Sequence, residues 1–401
     1  MKTVGIIAEY NPFHNGHLYH INEAKKQSNA ECAVVIMSGN FLQRGEPALV
    51  SKWARTAMAL KAGADVVIEL PFLFAVGHAD TFAYGAINLL ESLSVSSLCF
   101  GSEHGDISAF LKAAEIARAN KPLIEENIKA EMKKGSSYPN AVTNALAHFK
   151  TDLDLSQPNN ILGFSYVKEI QKLGAKLAPF TIQRKSADYH DESLPSGPIA
   201  SATSIRKNLF SNQTTIESLS SFTPLSTVDE LQKYKKTYKL LHNWEAYFSY
   251  LQHQLFILSA SELKSRYEME EGMEYRFLKM MKEADSFQTL MTLVKNKRYT
   301  WTRLQRMCLH ILMNTNKEEA KALLSSPPPY ARLLGMTKQG KNYLNTRKKS
   351  FEVPLVSAVS KMNHPLLNMD IKATRVYSLP LDTKVRQRFF KQEYTTPPIQ
   401  L

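Results

Sequence analysis

The sequence predicts an α/β protein with a doubly wound parallel sheet, followed by a mainly helical and basic C-terminal domain. In the first half, short apolar runs rich in Val and Ile alternate with segments of helical periodicity. This pattern is typical of a parallel sheet that is covered by helices on both faces. In the second half, helical patterns dominate and carry most of the positive charge. A Ser/Thr-rich stretch at residues 211–225 is typical of a junction, so we predict domains at residues 1–215 and 216–401.

Each predicted strand of the first half is a short apolar run bounded by turn or polar residues. The five runs occupy residues 3–10, 31–39, 64–71, 96–103 and 176–185. Helical patterns lie between them at residues 16–27, 50–63 and 80–93, continue to about residue 174, and return at residues 203–210. Ligands of such sheets bind beyond the carboxyl ends of the strands, so the loops after the strands are the candidate sites.

The second half is predicted to be helical with two short strand-like pieces. The helical patterns occupy residues 228–241, 243–256, 262–284 and 301–314. The strand-like pieces, ARLLGMT and FEVPLVS, occupy residues 331–337 and 351–357. No internal repeat or coiled-coil heptad is evident.

Composition excludes several classes of protein. No run of about 18 apolar residues is present, so no membrane span is expected. The first residues lack the long apolar segment and the cleavage site of a signal peptide. Cys32, Cys99 and Cys308 are far apart, which argues against a disulfide framework and a cysteine-based zinc site. These observations predict a cytoplasmic protein.

The net charge of +13 is concentrated in the second half. Residues 1–210 contain 21 basic and 20 acidic residues, whereas residues 211–401 contain 29 and 17. Within residues 286–350 the numbers are 13 and 2. A neutral half joined to a strongly basic half favours one part for chemistry and one part for a polyanion. A basic surface that only maintains solubility is the alternative.

Residues 9–20, EYNPFHNGHLYH, follow the first strand and open the first helix. Free N–H groups at a helix start attract anions, and Gly16 lets the backbone approach a ligand. His14 and His17 are three residues apart, so both project from the same side of the first turn. Two imidazoles there suit the phosphates of a nucleotide, to which they can donate hydrogen bonds. A metal pair or two structural histidines are the alternatives.

The motif HNGH resembles the (H/T)xGH signature of the nucleotidyltransferase superfamily, which also contains the class I aminoacyl-tRNA synthetases. A second signature of that superfamily, (I)SSTxIR, resembles residues 199–207, IASATSIRK. Ser201, Thr203, Ile205 and Arg206 match it, whereas Ala202 replaces the second serine. Hydroxyls and an arginine at a helix start can hold the β- and γ-phosphates; Thr203 alone could equally be a helix cap. The resemblance implies a Rossmann-like fold of the HIGH type.

Seven segments also occur in the order found in one family of that superfamily. They are EYNPFHNGH, SGNFLQRGEPA, KWARTAMALKAGADVVIELP, FGSE, PNNILG, QRKSADYHD and SATSIR. The first half therefore closely resembles the bacterial tRNA(Met) cytidine acetate ligases, and the basic second half is consistent with them. The resemblance implies that ATP and acetate form acetyl-adenylate. The acetyl group then passes to N4 of the wobble cytidine of elongator tRNA(Met), forming N4-acetylcytidine. No membrane and no obligatory protein partner is inferred.

The resemblance also implies roles for individual residues. His14 and His17 would stabilise the charge on the α-phosphoryl group, and Thr203 and Arg206 would hold the leaving pyrophosphate. Mg²⁺ would bridge phosphates with few protein ligands. The ATP site would be lined by Ile7, Ala8, Glu9, Tyr10, Asn11, Pro12, Phe13, His14, Asn15, Gly16, His17, Leu18, Tyr19, His20, Gly101, Asn160, Arg184 and Lys185.

Several of these assignments have structural alternatives. Gly101 could be an ordinary turn glycine, Asn160 a helix cap, and Arg184 a surface cation with Lys185 as its neighbour. A polar loop after the second strand contains Asn40, Gln43, Arg44 and Glu46. This loop could hold acetate or the cytosine, or it could be a rigid solvated loop.

The second half is expected to bind the tRNA, whose target base must leave the anticodon stack. Residues 295–306, KNKRYTWTRLQR, interleave aromatic and basic side chains, and residues 345–349, NTRKK, add three cations. Trp301 and Leu304 are alternatively core positions of an amphipathic helix. The acidic residues 268–274, EMEEGME, either face away from RNA or contact another part of the protein. The predicted RNA-binding residues are Lys297, Arg298, Trp301, Arg303, Arg306, Arg347, Lys348 and Lys349.

Three other functions share part of this pattern. A small-molecule adenylyltransferase of the coenzyme-biosynthesis type would need the same two motifs but not a basic half of about 190 residues. An RNA-binding module without catalysis would not need the histidines and Arg206. An aminoacyl-tRNA synthetase would carry a KMSKS-type loop, for which the sequence offers no good match. Activity without RNA would identify the first, and RNA binding without ATP turnover would identify the second.

Overall fold

The computed structural model describes residues 1–136, 138–149, 151–184, 197–211 and 213–401. Its strands are β1 (Thr3–Ala8), β2 (Cys32–Ser38), β3 (Val66–Leu70), β4 (Ser97–Ser102), β5 (Ala178–Gln183), β6 (Ala331–Met336), β7 (Leu355–Val356) and β8 (Ile399–Gln400). The strands of the described residues form one sheet in the order β5-β4-β1-β2-β3-β6-β7, with β8 beside β6.

Helices make up most of the remaining described chain, and none is long and apolar enough to cross a membrane. They are α1 (Asn15–Ser28), α2 (Lys52–Lys61), α3 (Phe72–Ala75), α4 (Ala79–Ser92), α5 (Ile107–Ala119), α6 (Lys121–Lys133), α7 (Tyr138–Ala147), α8 (Pro158–Leu173), α9 (Ala202–Phe210), α10 (Leu225–Tyr238), α11 (Phe248–Ile257), α12 (Ala260–Lys264), α13 (Met273–Met280), α14 (Phe287–Val294), α15 (Trp301–Leu312), α16 (Lys317–Leu324), α17 (Lys338–Arg347), α18 (Pro365–Tyr377) and α19 (Thr383–Thr395).

The five strands of the first half confirm the predicted doubly wound arrangement. β1 pairs in parallel with both β2 and β4, while β3 and β5 extend the sheet on either side. Every residue of β2 is buried, as expected for a continuous apolar run covered on both faces. The chain crosses from one side of β1 to the other between β3 and β4. A crevice therefore opens between the carboxyl ends of β1 and β4.

The sheet does not end with the first half of the chain. β6 pairs in antiparallel orientation with β3, from Val66↔Met336 to Glu69↔Arg332, and also pairs with β7 and β8. The predicted division between residues 215 and 216 therefore does not coincide with the limit of the sheet. The second half is mainly helical as predicted, but its strand-like pieces complete the sheet, because the exposed edge of β3 needs a partner.

A buried cluster of charges joins β3 and α2 to the last strands and helices. Lys52 Nζ lies 2.9 Å from Glu69 Oε1 and 2.8 Å from Glu393 Oε1. Arg332 Nη1 lies 3.1 Å from Glu69 Oε2, and Arg332 Nη2 contacts Glu393. All four side chains are at most 4% exposed. Burial opposes ionisation of Glu393, but the charges of Arg332 and Lys52 lower its pKa to about 2.

Replacement of Glu393 by Gln should destabilise the protein by about 3–5 kcal/mol, because two buried cations then share one carboxylate fewer. Denaturant unfolding followed by circular dichroism measures this. The lowered pKa makes the stabilisation complete above pH 4.5 and causes its loss as the pH falls toward about 2. The difference in the free energy of unfolding between the parent and the Glu393→Gln variant should therefore become smaller in acid.

The matched control is Glu318→Gln, which breaks an exposed pair with Lys321. This change should cost less than about 1 kcal/mol, because water screens exposed pairs. Equal costs for Glu318→Gln and Glu393→Gln would contradict a stabilising role for the buried cluster.

Candidate active site

A cavity of about 2220 Å³ opens at the carboxyl ends of β1 and β4. This volume exceeds the roughly 300–1,000 Å³ of most small-molecule sites. One wall contains residues that follow β1, β4 and β5 together with parts of α5 to α8, and the opposite wall comes from residues 264–271, 298–306 and 317–325. Among the described residues, twelve cationic and seven acidic side chains line the cavity. The cavity therefore favours a polyanion.

His14 and His17 begin α1 and are held together by hydrogen bonds. His14 is the N-cap, and its Nδ1 accepts the Gly16 N–H at 3.0 Å. His17 Nδ1 accepts the His14 backbone N–H at 3.2 Å, and the two rings stack with centroids 3.7 Å apart. Because Nδ1 is an acceptor in both rings, the neutral imidazoles carry their protons on Nε2. Both rings line the cavity and provide it with N–H donors.

Burial keeps both histidines neutral. Burial, followed by the charges of Arg184 and Arg206, lowers the pKa of His14 to about 3. Burial and the neighbouring His14 and Arg184 also hold the pKa of His17 well below its usual range. The pKa of His20, one turn further on, is lowered to about 4 by burial and by Arg184. At neutral pH the pair therefore donates hydrogen bonds without carrying charge, and arginines nearby supply the positive potential.

The first turn of α1 leaves no space for a side chain at Gly16. A Cβ at this position would lie 2.8 Å from His14 Cε1 and 3.0 Å from its Nδ1, so it would displace the ring from its cap. Asn15 holds the same turn from outside the cavity. Its side-chain amide donates to the Pro198 carbonyl at 2.9 Å, and its backbone N–H donates to the Phe222 carbonyl at 2.9 Å.

The predicted ATP-lining segment 7–20 is divided between the cavity and the core. The segment folds inward after Glu9, and Tyr10 and Phe13 pack beneath His17 with ring centroids 4.9 Å and 5.5 Å away. The residues at the cavity are Ile7, Ala8, Glu9, His14, Gly16, His17, Tyr19 and His20. The residues behind it are Tyr10, Asn11, Pro12, Phe13, Asn15 and Leu18. Packing or internal hydrogen bonds engage these six residues, and their direct contact with ATP stays a prediction.

Gly101 and Arg184 both line the cavity, at the ends of β4 and β5. A Cβ on Gly101 would lie 3.4 Å from Arg184 Cγ, so the glycine leaves room beside this arginine. Arg184 is exposed at the strand end, where its charge acts on the histidines. Lys185 lies outside the described residues.

Asn160 lies behind the cavity wall. Its Oδ1 accepts the backbone N–H groups of Glu103 and His104, both at 3.1 Å, and its Nδ2 donates to the Asp154 carbonyl at 2.8 Å. The amide thus positions the loop after β4, and its contact with ATP stays a prediction. Asn160 is the third residue of α8 and does not act as its N-cap. The Glu103 carboxylate instead accepts the Asn160 backbone N–H at 2.9 Å.

The second motif begins α9, and its N-cap is Ser201, whose Oγ accepts a backbone N–H of the first turn at 3.0 Å. Thr203 is the exposed second residue of the helix and does not cap it. Arg206 donates to the Asn11 carbonyl at 2.8 Å and to Glu46 Oε1 at 3.1 Å. Residues 199–201 line the cavity, whereas Thr203 and Arg206 lie just outside its lining.

The polar loop after β2 has both a structural and a site-lining part. Asn40 is 3% exposed and hydrogen bonds to Thr374 on α18, and Glu46 holds the α9 arginine. Gln43 and Arg44 line the cavity. The Gln43 backbone N–H donates to Glu9 Oε1 at 2.8 Å, which joins the ends of β1 and β2 at the site.

The acidic segment 268–274 contacts the start of the basic helix α15. Arg303 Nη2 lies 2.6 Å from Glu270 Oε1, and Arg306 Nε lies 2.9 Å from Glu268 Oε1. The segment thus contacts another part of the protein, one of the two alternatives raised by the sequence. Arg306 is only 7% exposed, which corrects its prediction as an exposed RNA-binding cation. The backbone of Gly45 also packs on it, since a Cβ there would lie 2.4 Å from Arg306 N.

The other predicted RNA-binding residues of this region differ in accessibility. Lys297 and Arg298 are exposed, and Arg298 lines the cavity. Trp301 is half-buried against the core, and Leu304 is fully buried. Leu304 is therefore a core position of the amphipathic helix α15, and Trp301 is partly one.

The second basic cluster, Arg347, Lys348 and Lys349, is exposed at the end of α17. The adjacent Ser350 accepts a hydrogen bond from Ser94, which precedes β4. This cluster therefore lies at the amino-terminal edge of the sheet, whereas the cavity lies at the carboxyl edge. The six residues of β4 separate the two edges by about 20 Å. The structure does not bring the two predicted RNA-binding clusters together.

Comparisons with known proteins agree with the fold and the site. A family model described as HIGH Nucleotidyl Transferase matches residues 1–393. The tRNA(Met) cytidine acetate ligase of Bacillus subtilis is 50% identical, and the match covers 100% of this chain and 97% of that protein. The ligase of the same name from a Geobacillus species is 46% identical over the whole of both chains. The chain belongs to the tRNA(Met) cytidine acetate ligase family.

Solved structures of this ligase family have the same fold. The apo crystal structure of Thermotoga maritima TmcAL matches with a TM-score of 0.93 at 32% identity, and covers 100% of both chains. The same protein bound with alpha-thio ATP matches with a TM-score of 0.91 at 30% identity, with the same coverage. These matches confirm the expected HIGH-type fold and the family resemblance.

Arg55 is a buried arginine that supports the site and that was not predicted from the sequence. Arg55 is 0% exposed and donates to the backbone carbonyls of Glu9 at 2.6 Å and Ser38 at 3.0 Å. It also donates to the Gly39 carbonyl. The guanidinium thereby satisfies carbonyl groups where β1 and β2 end. In the sequence, Arg55 lies beside the apolar residues of KWARTAMALK, which gives little indication of this role.

The neutral state of the histidine pair is directly observable. In a nitrogen-15 NMR titration, the ring signals of His14 and His17 should show the Nε2–H tautomer and should not shift between pH 8 and about pH 5. The reason is that the pKa of His14 lies at about 3. Each ring signal is assigned to its histidine by its loss in the His14→Gln or the His17→Gln variant. A transition near pH 6.5 would contradict burial as the cause.

Proposed function

We propose that this chain is an ATP-dependent ligase that forms N4-acetylcytidine at the wobble position of elongator tRNA(Met), with acetate as the acyl donor. The observation that carries the proposal is the single cavity that has the histidine pair on one wall and cationic residues of the second half on the other. The names of the full-length relatives support tRNA(Met), cytidine and acetate as the reactants. A tRNA substrate would place the enzyme in the cytoplasm.

In the first step, an acetate oxygen attacks the α-phosphorus of ATP and pyrophosphate leaves. His14 and His17 donate from Nε2 to the α-phosphoryl oxygens, whose charge increases during the attack. Arg184 and Arg206 supply positive potential beside them. The amino-terminal end of α9, with Thr203, holds the pyrophosphate. No covalent enzyme intermediate is needed, because positioning and electrostatic stabilisation are sufficient for such transfers.

Mg²⁺ would enter with ATP, bound to its phosphates, and would neutralise part of their charge. Within the described ranges, no group of three or more His, Cys, Asp or Glu residues is placed to hold a metal ion. We therefore assign no protein ligand to Mg²⁺.

In the second step, the cytidine N4 amine attacks the acetyl carbonyl and AMP leaves. The base must leave the anticodon stack to reach the site, and the cavity volume of about 2220 Å³ gives it room beside ATP. Lys297 and Arg298 are exposed, Arg298 lines the cavity, and we propose that both contact the anticodon backbone. Arg347, Lys348 and Lys349 would form a distal contact with the same RNA.

The test uses carbon-14 acetate, ATP with Mg²⁺ and total bacterial tRNA, followed by nucleoside analysis. Label in N4-acetylcytidine from one methionine tRNA is the expected result. Adenylation of a small acceptor without label in RNA would instead support a coenzyme-type adenylyltransferase and would overturn the proposed RNA substrate.

His14→Ala and His17→Ala should reduce acetate-dependent pyrophosphate exchange by about 100-fold or more, because each removes a donor to the transition-state oxyanion. tRNA affinity should remain within about threefold, since the cations of the second half are untouched. Filter binding and pyrophosphate exchange measure the two properties. His253→Ala, an exposed histidine on α11, is the control. Equal losses of pyrophosphate exchange and of tRNA affinity would contradict the proposal that the histidines act in acetate activation and not in tRNA binding.

Charge reversal of Lys297 and Arg298 should weaken tRNA binding and reduce the slope of log affinity against log salt by about one to two, because each phosphate contact releases counterions. Reversal of Arg347 and Lys348 should also reduce the slope but leave the rate of acetyl transfer at saturating tRNA unchanged. Unchanged slopes would show that tRNA binds to a different surface of the protein. Arg303 and Arg306 are unsuitable for this test. Replacing either with an acidic residue would place two carboxylates against each other in its ion pair.

A further inference from the structure

We propose that Glu9 is the general base that accepts the proton released from cytidine N4 during acetyl transfer. This inference rests on the proposed function. Glu9 directly follows the last residue of β1, the central strand at which the sheet reverses its order, and its side chain lines the cavity. It therefore lies at the position where doubly wound sheets place reacting groups.

The transfer requires a base because the N4 amine carries two hydrogens and the amide product carries one. As N4 bonds to the acetyl carbon, the carbonyl electron pair moves to oxygen and one N4 proton passes to the Glu9 carboxylate. The carbonyl then re-forms, the bond between the acetyl carbon and the phosphate oxygen breaks, and AMP leaves with that electron pair. Glu9 then releases its proton to solvent.

The histidines that line the same site cannot take this proton. Nδ1 of His14 and Nδ1 of His17 already accept backbone N–H groups within the first turn of α1. Their Nε2 atoms carry the remaining ring protons. Both rings are therefore donors, which suits the oxyanion and leaves the base unassigned.

The other carboxylates of the cavity are engaged or exposed. Six described carboxylates besides Glu9 line it, and Glu271 among them is exposed. The other five form ion pairs: Asp80 with Lys168 at 2.6 Å, Glu125 with Lys121 at 3.9 Å, Glu169 with Lys172 at 3.1 Å, Glu268 with Arg306 at 2.9 Å and Glu270 with Arg303 at 2.6 Å. Within the described part of the chain, Glu9 forms no such pair.

One oxygen of Glu9 is positioned and the other is available. Oε1 accepts the Gln43 backbone N–H at 2.8 Å, and no described residue donates to Oε2. Arg55 holds the Glu9 carbonyl at 2.6 Å, which fixes the backbone at the strand end. The carboxylate is thereby oriented while it retains a lone pair for an incoming amine.

Burial leaves Glu9 more basic than an ordinary glutamate, although nearby arginines oppose this effect. Burial raises its pKa, and Glu46 acts in the same direction, while the Gln43 hydrogen bond and the charges of Arg44 and Arg206 oppose the rise. The Glu9 charge in turn opposes the lowering of the Arg55 pKa by burial and adds to burial in raising the pKa of Tyr166. A raised pKa improves proton acceptance near neutral pH.

The test separates the two half-reactions of the Glu9→Gln variant. Gln keeps an oxygen that can accept the Gln43 N–H, so the variant preserves the local fold. Acetate-dependent pyrophosphate exchange should fall much less than the transfer does, although Glu9 also lines the cavity in which ATP is expected to bind. Single-turnover transfer from preformed acetyl-adenylate to tRNA should fall by about 100-fold or more. The parent should lose transfer rate as the pH falls, and the variant should lack this acid limb.

Asp80→Asn is the matched control, because it neutralises a paired carboxylate of the same cavity, and it should retain the acid limb. Transfer by Glu9→Gln at the parental rate, or equal loss of both half-reactions, would overturn the role of Glu9 as base. Absence of acetate-dependent exchange in the parent would instead overturn the proposed function, and the inference with it.

Discussion

The buried charge cluster of Lys52, Glu69, Arg332 and Glu393 is the constraint on which the rest of the arrangement depends. Charges of this kind are tolerated inside a protein only when each meets its partners in good geometry. The cluster therefore holds β3, β6 and α19 in one relation, although β3 ends at Leu70 and β6 begins only at Ala331. Because the second half is held against the sheet in this way, its helices form the opposite wall of the cavity.

The active site separates three electrostatic tasks that a single group could not perform. In the proposed mechanism, stacked neutral histidines provide hydrogen-bond donors, an arginine after β5 and another within α9 provide positive potential, and the half-buried Glu9 carboxylate provides an acceptor. The hydrogen-bonding role of each group follows from its position in the structure. The capping turn of α1 occupies Nδ1 of His14 and His17, whereas Glu9 is held by a backbone N–H and keeps one oxygen available.

The net charge of +13 overstates the positive surface at the cavity. Glu268 and Glu270 pair with Arg306 and Arg303, so part of the basic helix is neutralised before any RNA binds. The exposed cations among the predicted RNA-binding residues are divided between the region of the cavity, with Lys297 and Arg298, and the opposite edge of the sheet, with Arg347, Lys348 and Lys349. An RNA that contacts both must extend along the molecule by about the length of a strand, roughly 20 Å.

The sequence by itself determined the five parallel strands, the two helix-start motifs and the family, because these depend on local periodicity and on short contiguous segments. His14, His17, Gly101 and Arg184 could be placed at the cavity for the same reason, since each lies near the carboxyl end of a strand. Only the tertiary structure decided that β6 completes the sheet, that Arg306 is buried and that Asn160 supports a loop. Pairing across hundreds of residues depends on which edges and charges remain unsatisfied after the local elements form, and no local pattern encodes that.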